Sequence, residues 1–169
     1  LMYITVPATI GVMLTAQNFV PLMFGESFSD AIITTKILSI SIITVAFSNF
    51  FGYQVLVTIG KEKEMLVSTI IGAIVNIALN FALIFALKHN GVAIASAITE
   101  LCVTLYQIKA VKKEICIKTD KKYVFSVLIG TLLMTLFVII CQVMFERKLV
   151  CLSLSIMVGM LIYGMVTLG

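Results

Sequence analysis

Charged residues are scarce in this sequence, and their scarcity excludes a soluble protein. Only 12% of the 169 residues are charged, whereas 61% are hydrophobic and the mean hydropathy is +1.17. A soluble domain of this length could not bury that much apolar side chain. The net charge of +4 comes mostly from lysines in one loop, so it bears on membrane topology and does not indicate a nucleic-acid partner.

Long polar segments are also absent. Short charged clusters separate apolar runs of about 19 to 24 residues, close to the roughly 20 that a helix needs to cross a bilayer. No stretch alternates apolar and polar residues as the strands of a membrane barrel do. The sequence therefore predicts an all-α polytopic membrane bundle with about six transmembrane helices, forming a single domain over residues 1–169. The predicted first to sixth helices cover residues 1–24, 37–59, 65–87, 92–110, 123–145 and 149–168.

Residue patterns for catalysis, metal binding or disulfide formation are missing. The cysteines show neither paired nor metal-like spacing, which is typical of small packing residues. They are Cys102, Cys116, Cys141 and Cys151. A membrane enzyme would need acids and histidines gathered at a wet interface loop, and the candidates are Glu26, Asp30 and His89. We therefore expect no catalytic residue, no metal ligand and no cofactor, with an enzyme as the weaker alternative.

Basic residues are distributed unevenly between alternate loops. Eight lysines lie in the second-to-third and fourth-to-fifth loops, and four basic residues lie in the other loops. Because short cytoplasmic loops carry the excess of Lys and Arg, Leu1 and Gly169 are both predicted to be cytoplasmic. The lysine-rich loop, KKEICIKTDKK, could bind anionic membrane lipids, but a solvated turn that fixes orientation is the simpler interpretation.

The first run is predicted to be a structural helix, because no basic segment precedes it and it is followed by five more spans. Pro21 has no N–H for the carbonyl of Gln17, and Pro7 lacks a donor near the other end, so we expect this helix to bend. Gln17 and Asn18 lie beside the freed carbonyl and could satisfy it. Since the chain opens directly into a span, we expect it to be part of a longer protein.

Glu100 lies about midway along an apolar run, with Lys109 near the end of that run. An acid at a helix centre costs a few kcal/mol, and no Lys, Arg or His occurs in the middle of any predicted span. Its partner is therefore a proton, a sodium ion, a substrate or another part of the full chain. Small and polar residues share its face at helical spacing. They are Ala93, Ser96, Ala97, Thr104 and Gln107.

Amide side chains mark the neighbouring helices. Asn76 lies at the midpoint of the third helix, and Asn80 is one turn on, about 40° away around the axis. Asn49 is central in the second helix, but Gln54 is turned about 140° from it. Those two share a cavity only if the helix is broken or twisted near Gly52. Such residues line a cavity or form helix-to-helix hydrogen bonds, and the sequence leaves both open.

Four motifs resemble, in their order, the C-terminal half of polysaccharide and oligosaccharide flippases of the Wzx type. They are VPATIGV with LMFGESF, GYQVLVTIGKEKE, IGAIVNIALNFALIF and NGVAIASAITE. These flippases belong to the multidrug/oligosaccharidyl-lipid/polysaccharide (MOP) exporter superfamily. The resemblance implies two bundles around a central cavity, alternating access, and an undecaprenyl pyrophosphate-linked oligosaccharide as substrate in the bacterial cytoplasmic membrane. The basic residues expected for the pyrophosphate would lie in a missing N-terminal half.

The leading hypothesis is therefore half of a transporter for lipid-linked oligosaccharide, with a proton or a sodium ion as the coupling ion. The alternatives are a cation-coupled multidrug antiporter of the related MATE type and a non-transporting structural module, which would have no cavity at the level of Glu100. The residues predicted to line the path are Glu100, Asn76, Asn80, Asn49, Gln17, Asn18, Gln54 and Gln107.

Overall fold

The computed structural model of the chain describes residues 1–115, 121–144 and 148–168, and these residues are almost entirely helical, with no strand among them. A short 3₁₀ turn, Glu26–Phe28, follows the first helix, and a π-helix, Phe50–Val57, continues the second. The predicted all-α polytopic membrane fold is confirmed. The helices are α1 (Met2–Phe24), α2 (Ala31–Asn49), α3 (Glu62–Glu114), α4 (Lys121–Met144) and α5 (Lys148–Leu168).

Four segments of the described chain are long and apolar enough to cross a membrane, and α5 contains a shorter apolar stretch, Leu152–Met165. The predicted third and fourth spans both fall within the 53 residues of α3. Predicted boundaries at Phe145 and Gly169 lie outside the described residues, as do Cys116, Lys118 and Arg147. The single-domain prediction for residues 1–169 stays a prediction.

α3 consists of two helical arms that meet at Lys88, whose backbone is non-helical with φ 49° and ψ −130°. A lysine at positive φ is uncommon because its Cβ crowds the backbone. The first arm covers residues 62–87 and the second covers 89–114, about 26 residues or about 39 Å each. Each arm is therefore long enough for one span. The sequence predicts a loop over residues 88–91, but the structure confines the break to Lys88.

The two arms run antiparallel and in close contact. A Cβ added to Gly72 of the first arm would lie 2.6 Å from Val103 Cγ2 of the second. Nearer the turn, a Cβ on Gly91 would lie 2.5 Å from the carbonyl oxygen of Leu83. Glycine at both positions lets the helix backbones approach closely, as small residues do in membrane helix pairs.

The described residues fall into two compact units. Unit 1 comprises Leu1–Ser39 and Thr119–Gly169, and unit 2 comprises Ile40–Lys118. In unit 1, α4 packs against α5 and both pack against α1. The buried side chains of Met134, Val138 and Tyr163 form its core.

Unit 2 contains the end of α2, the π-helix and both arms of α3. The π-helix packs against α3. The two arms of α3 form a helical hairpin, and we call the end farther from Lys88 its base. Phe51 and Leu56 of the π-helix meet Ala110 and Val111 of the second arm in a buried cluster near this base. This cluster fixes one end of unit 2, and the cavity described below opens along the same three segments.

Candidate functional site

Unit 2 contains a cavity of about 520 Å³ between α2 with its π-helix and the two arms of α3. The π-helical stretch matters here because a π turn contains more residues than an α turn and so changes which side chains share a face. Such segments occur frequently at functional sites. α2 and the π-helix contribute Val45, Ser48, Asn49 and Tyr53; the first arm contributes Met65, Thr69, Gly72, Ala73, Asn76 and Ile77; the second contributes Thr99, Glu100, Val103 and Gln107.

The first arm presents a stripe of small and polar residues to the cavity. Thr69, Gly72, Ala73 and Asn76 all line it. Their spacing of three, four and seven residues places them on one face of a helix. Asn80 continues the stripe by donating a 2.8 Å hydrogen bond from Nδ2 to Asn76 Oδ1, although it does not line the cavity itself. Asn80 therefore orients Asn76.

The second arm divides the polar face that the sequence assigns to it. Glu100 and Gln107 line the cavity and Ala93 is buried. Thr104 instead packs against α2, where Oγ1 donates a 2.8 Å hydrogen bond to the carbonyl of Thr44. One part of the predicted face thus joins two helices, and another part is open to the cavity.

Glu100 is half-buried and is the one acidic residue among the described residues that line the cavity. None of those lining residues is basic. The hydroxyls and amides of Ser48, Asn49 and Thr69 on the other two segments border the same space. Neutral polar groups and room for water thus surround the carboxylate, which reduces the cost of an acid within a span.

Gln107 closes the end of the cavity nearest the hairpin base and is only 3% exposed. Its Nε2 donates a 3.0 Å hydrogen bond to Ser68 Oγ, and that hydroxyl donates to the carbonyl of Met65 at 2.6 Å. Because the Ser68 hydroxyl donates its one proton to Met65, it can only accept from Gln107. The amide nitrogen of Gln107, and not its oxygen, therefore faces Ser68. Gln107 Oε1 is then left buried, and the described residues offer it no hydrogen-bond partner.

Gly52 of the π-helix makes room for that amide. A Cβ at this position would lie 2.9 Å from Gln107 Nε2 and 3.4 Å from Cδ. Any larger residue would therefore displace the amide from Ser68 unless the π-helix itself moved. The sequence predicts that Asn49 and Gln54 share a cavity only if the helix is broken or twisted near Gly52. In the structure the π-helix begins two residues before Gly52.

Tyr53 lines the cavity, whereas Gln54 lies outside the lining. Tyr53 lies four residues after Asn49, and its side chain is 62% exposed, whereas Gln54 is exposed elsewhere on the π-helix. Sequence reasoning misses Tyr53 because its spacing from Asn49 is informative only once Asn49 is known to line a cavity. Thr99 is missed because it is buried beside Glu100, where its Oγ1 accepts a 3.4 Å hydrogen bond from Asn76 Nδ2.

The remaining predicted path residues belong to unit 1. Gln17 is exposed and Asn18 half-buried on α1, and Pro7 and Pro21 both lie inside that helix. Their part in a path, and the bends expected at the prolines, stay predictions. Gln142 on α4 has a structural contact instead, since its Nε2 donates a 2.7 Å hydrogen bond to the carbonyl of Leu14.

Polar contacts at the base of the hairpin join its two arms. Tyr106 donates a 2.7 Å hydrogen bond to Glu64, and Lys61 forms a 2.8 Å ion pair with Glu114. The hydrogen bond to Glu114 and the negative charge of that residue raise the pKa of Lys61 above its ordinary 10.5. No group of three or more His, Cys, Asp or Glu side chains suited to a metal ion occurs within the described residues.

No family model and no curated protein matches this chain. The fold is similar to a solved structure described as the lipid II flippase MurJ in an inward closed conformation. The TM-score is 0.79, the match covers 98% of this chain, and the sequences are 16% identical. The chain spans 36% of the length of the flippase chain. At that identity the likeness shows the fold alone.

Proposed function

We propose that this chain is part of a transporter that moves a lipid-linked oligosaccharide across the bacterial cytoplasmic membrane by alternating access. The single observation that carries the proposal is the cavity of unit 2, which gathers Asn49, Asn76, Glu100 and Gln107 from three apolar helical segments. Polar and acidic side chains within membrane spans cost free energy, and a structural module without a cavity would not need them there. The likeness to a lipid II flippase supports the same class of activity.

The motif order supports a polysaccharide or oligosaccharide flippase of the Wzx type as the finer assignment. A second bundle, N-terminal to this one, would complete the transport pathway, with membrane lipids around both. A proton or a sodium ion supplies the driving force in this proposal, and no cofactor takes part. The described lining residues offer one acid among neutral groups, so among them there is no acid and base pair of the kind on which hydrolytic or transfer chemistry depends.

A cation-coupled multidrug antiporter is the second candidate, because one carboxylate in a cavity whose described lining has no basic residue would also suit an organic cation. Deleting the gene distinguishes the two. Loss of surface glycan with unchanged drug susceptibility supports the flippase, and increased susceptibility to cationic drugs with normal glycan supports the antiporter.

Glu100→Gln in the full-length protein tests the site. The amide preserves the shape of the side chain and removes its charge, so we expect surface glycan to fall well below the wild-type level at an unchanged amount of membrane protein. Glu62→Gln is the matched control, since Glu62 is exposed at the start of α3. Wild-type export by Glu100→Gln would remove Glu100 from the mechanism.

A further inference from the structure

We propose that the cavity of unit 2 is a glycan subsite, which takes the sugar hydroxyls of the transported lipid and leaves the diphosphate to another part of the full protein. This inference rests on the proposed function and adds which portion of the substrate these residues contact. It is carried by the charge, the hydrogen-bonding groups and the exposed aromatic ring of the cavity.

The charge of the lining excludes the diphosphate as the group bound here. Glu100 is negative when ionised, and no basic side chain stands among the described lining residues to offset it. Two like charges brought together in a site of low dielectric repel each other strongly. A diphosphate also offers only acceptors, so it could not satisfy the acceptor atoms of Glu100 or of the amides. Sugar hydroxyls, which are neutral and donate, do not meet this penalty.

The hydrogen-bonding groups match hydroxyls in both directions. The amide of Asn49 carries two N–H donors and an acceptor oxygen. The amide of Asn76 donates one N–H to Thr99 and accepts from Asn80, which leaves it one N–H and one oxygen lone pair, so each amide can engage two hydroxyls in opposite senses. Ser48 adds a hydroxyl that can donate and accept, Thr69 adds an acceptor because its hydroxyl already donates to the carbonyl of Met65 at 3.1 Å, and the carboxylate of Glu100 accepts charge-assisted hydrogen bonds. Asn80 holds the Asn76 amide from behind, which prepares it for a ligand at no further ordering cost.

Tyr53 gives the cavity an apolar surface of the right kind. Its side chain is 62% exposed and borders the same space as Asn49. An exposed ring presents a flat apolar face and a hydroxyl tip, and the C–H groups of a sugar ring can pack on such a face. Gly72 and Ala73 opposite carry little or no side chain, and the 520 Å³ volume lies within the roughly 300–1,000 Å³ of small-molecule sites.

Two water-soluble probes separate the parts of the substrate. Both are short-chain isoprenyl diphosphates, one bare and one bearing a single N-acetylglucosamine, and binding to the purified full-length protein is measured by equilibrium titration. We expect the sugar to tighten binding about tenfold. Asn49→Leu and Tyr53→Ala should each weaken the sugar-bearing probe about three- to tenfold, as expected for lost hydrogen bonds or ring contacts, and leave the bare probe unchanged.

Three further variants make the test specific. Tyr53→Phe keeps the ring and should retain most of the affinity for the sugar-bearing probe. Thr58→Ala, exposed one turn beyond Tyr53 and outside the lining, should bind both probes as wild type does. Glu100→Gln should leave the bare probe unchanged. If instead it tightens the bare probe, the diphosphate lies beside Glu100 and the inference is wrong.

The outcomes also separate this inference from the proposed function. If both probes bind equally, or if Asn49→Leu and Tyr53→Ala weaken both by the same factor, the glycan subsite is excluded while lipid transport stands. If the full-length protein binds neither probe and deletion of its gene leaves surface glycan intact, the proposed function itself fails.

Discussion

Unit 1 and unit 2 each place a glutamine inside a span, and the two amides have different surroundings. In unit 1, Gln142 donates to the carbonyl of Leu14 and joins α4 to α1. In unit 2, Gln107 is buried against Ser68 and Gly52, keeps an acceptor atom that no described residue satisfies, and borders a cavity. The same residue type thus serves helix packing in one unit and a polar cavity in the other. Composition alone does not separate these roles.

The largest expected effect tests the close approach of the two arms of α3 near their turn. Gly91→Ala places a Cβ 2.5 Å from the Leu83 carbonyl oxygen and 2.8 Å from its carbon, and backbone atoms cannot step aside as a side chain can. We expect a loss of about 3 kcal/mol in stability, measured by thermal unfolding of the full-length protein in detergent.

Gly164→Ala in unit 1 is the matched control for that change, because nothing lies within 4 Å of the added Cβ. It should unfold at the wild-type temperature or slightly above it, because alanine within a helix is favoured over glycine by roughly 0.5–1 kcal/mol. Equal stability of the two variants would mean that the arms do not approach at Gly91 as described.

The two glutamines give an intermediate effect and sharpen the comparison. Gln142→Leu loses a 2.7 Å hydrogen bond and should cost about 1 kcal/mol without loss of glycan export. Gln107→Leu should change stability by no more than about 1 kcal/mol, since Ser68 still donates to Met65 and a buried unsatisfied oxygen is removed. Export should nevertheless fall, because the cavity loses a polar wall.

Thermal unfolding and surface glycan of both glutamine variants check this difference. A Gln142→Leu protein that is stable but inactive, or a Gln107→Leu protein that exports normally, would erase the distinction between the two units.

The smallest expected effect concerns the exposed ion pair of Lys61 and Glu114. Because the pKa of Lys61 is raised in the folded protein, its contribution is complete below the ordinary 10.5 and is lost as pH rises through the raised value. Lys61→Met should therefore lower the unfolding temperature only slightly, and by the same amount at neutral and mildly alkaline pH. A difference that disappears well below pH 10.5 would place the stabilising contact elsewhere.

The sequence predicts the helical fold well because long apolar runs in hydrocarbon have few alternatives to a helix. It also places Glu100 and Gln107 on one face, since helical spacing relates residues along one arm. It does not identify Tyr53, because the four-residue spacing from Asn49 is informative only once Asn49 is known to line a cavity. Nor does it predict that Thr104 packs on Thr44 while Glu100 stays open, since that depends on which helix lies opposite.

Water access to Glu100 tests the central claim most directly. Single cysteines at Glu100→Cys, Tyr53→Cys and Val138→Cys are compared in full-length protein whose native cysteines are replaced by alanine, using a membrane-impermeant maleimide. Val138, 1% exposed in the core of unit 1, should stay unlabelled, and the two cavity positions should react. A Glu100→Cys protein as unreactive as Val138→Cys, whichever side the reagent is applied from, would contradict a polar cavity in unit 2.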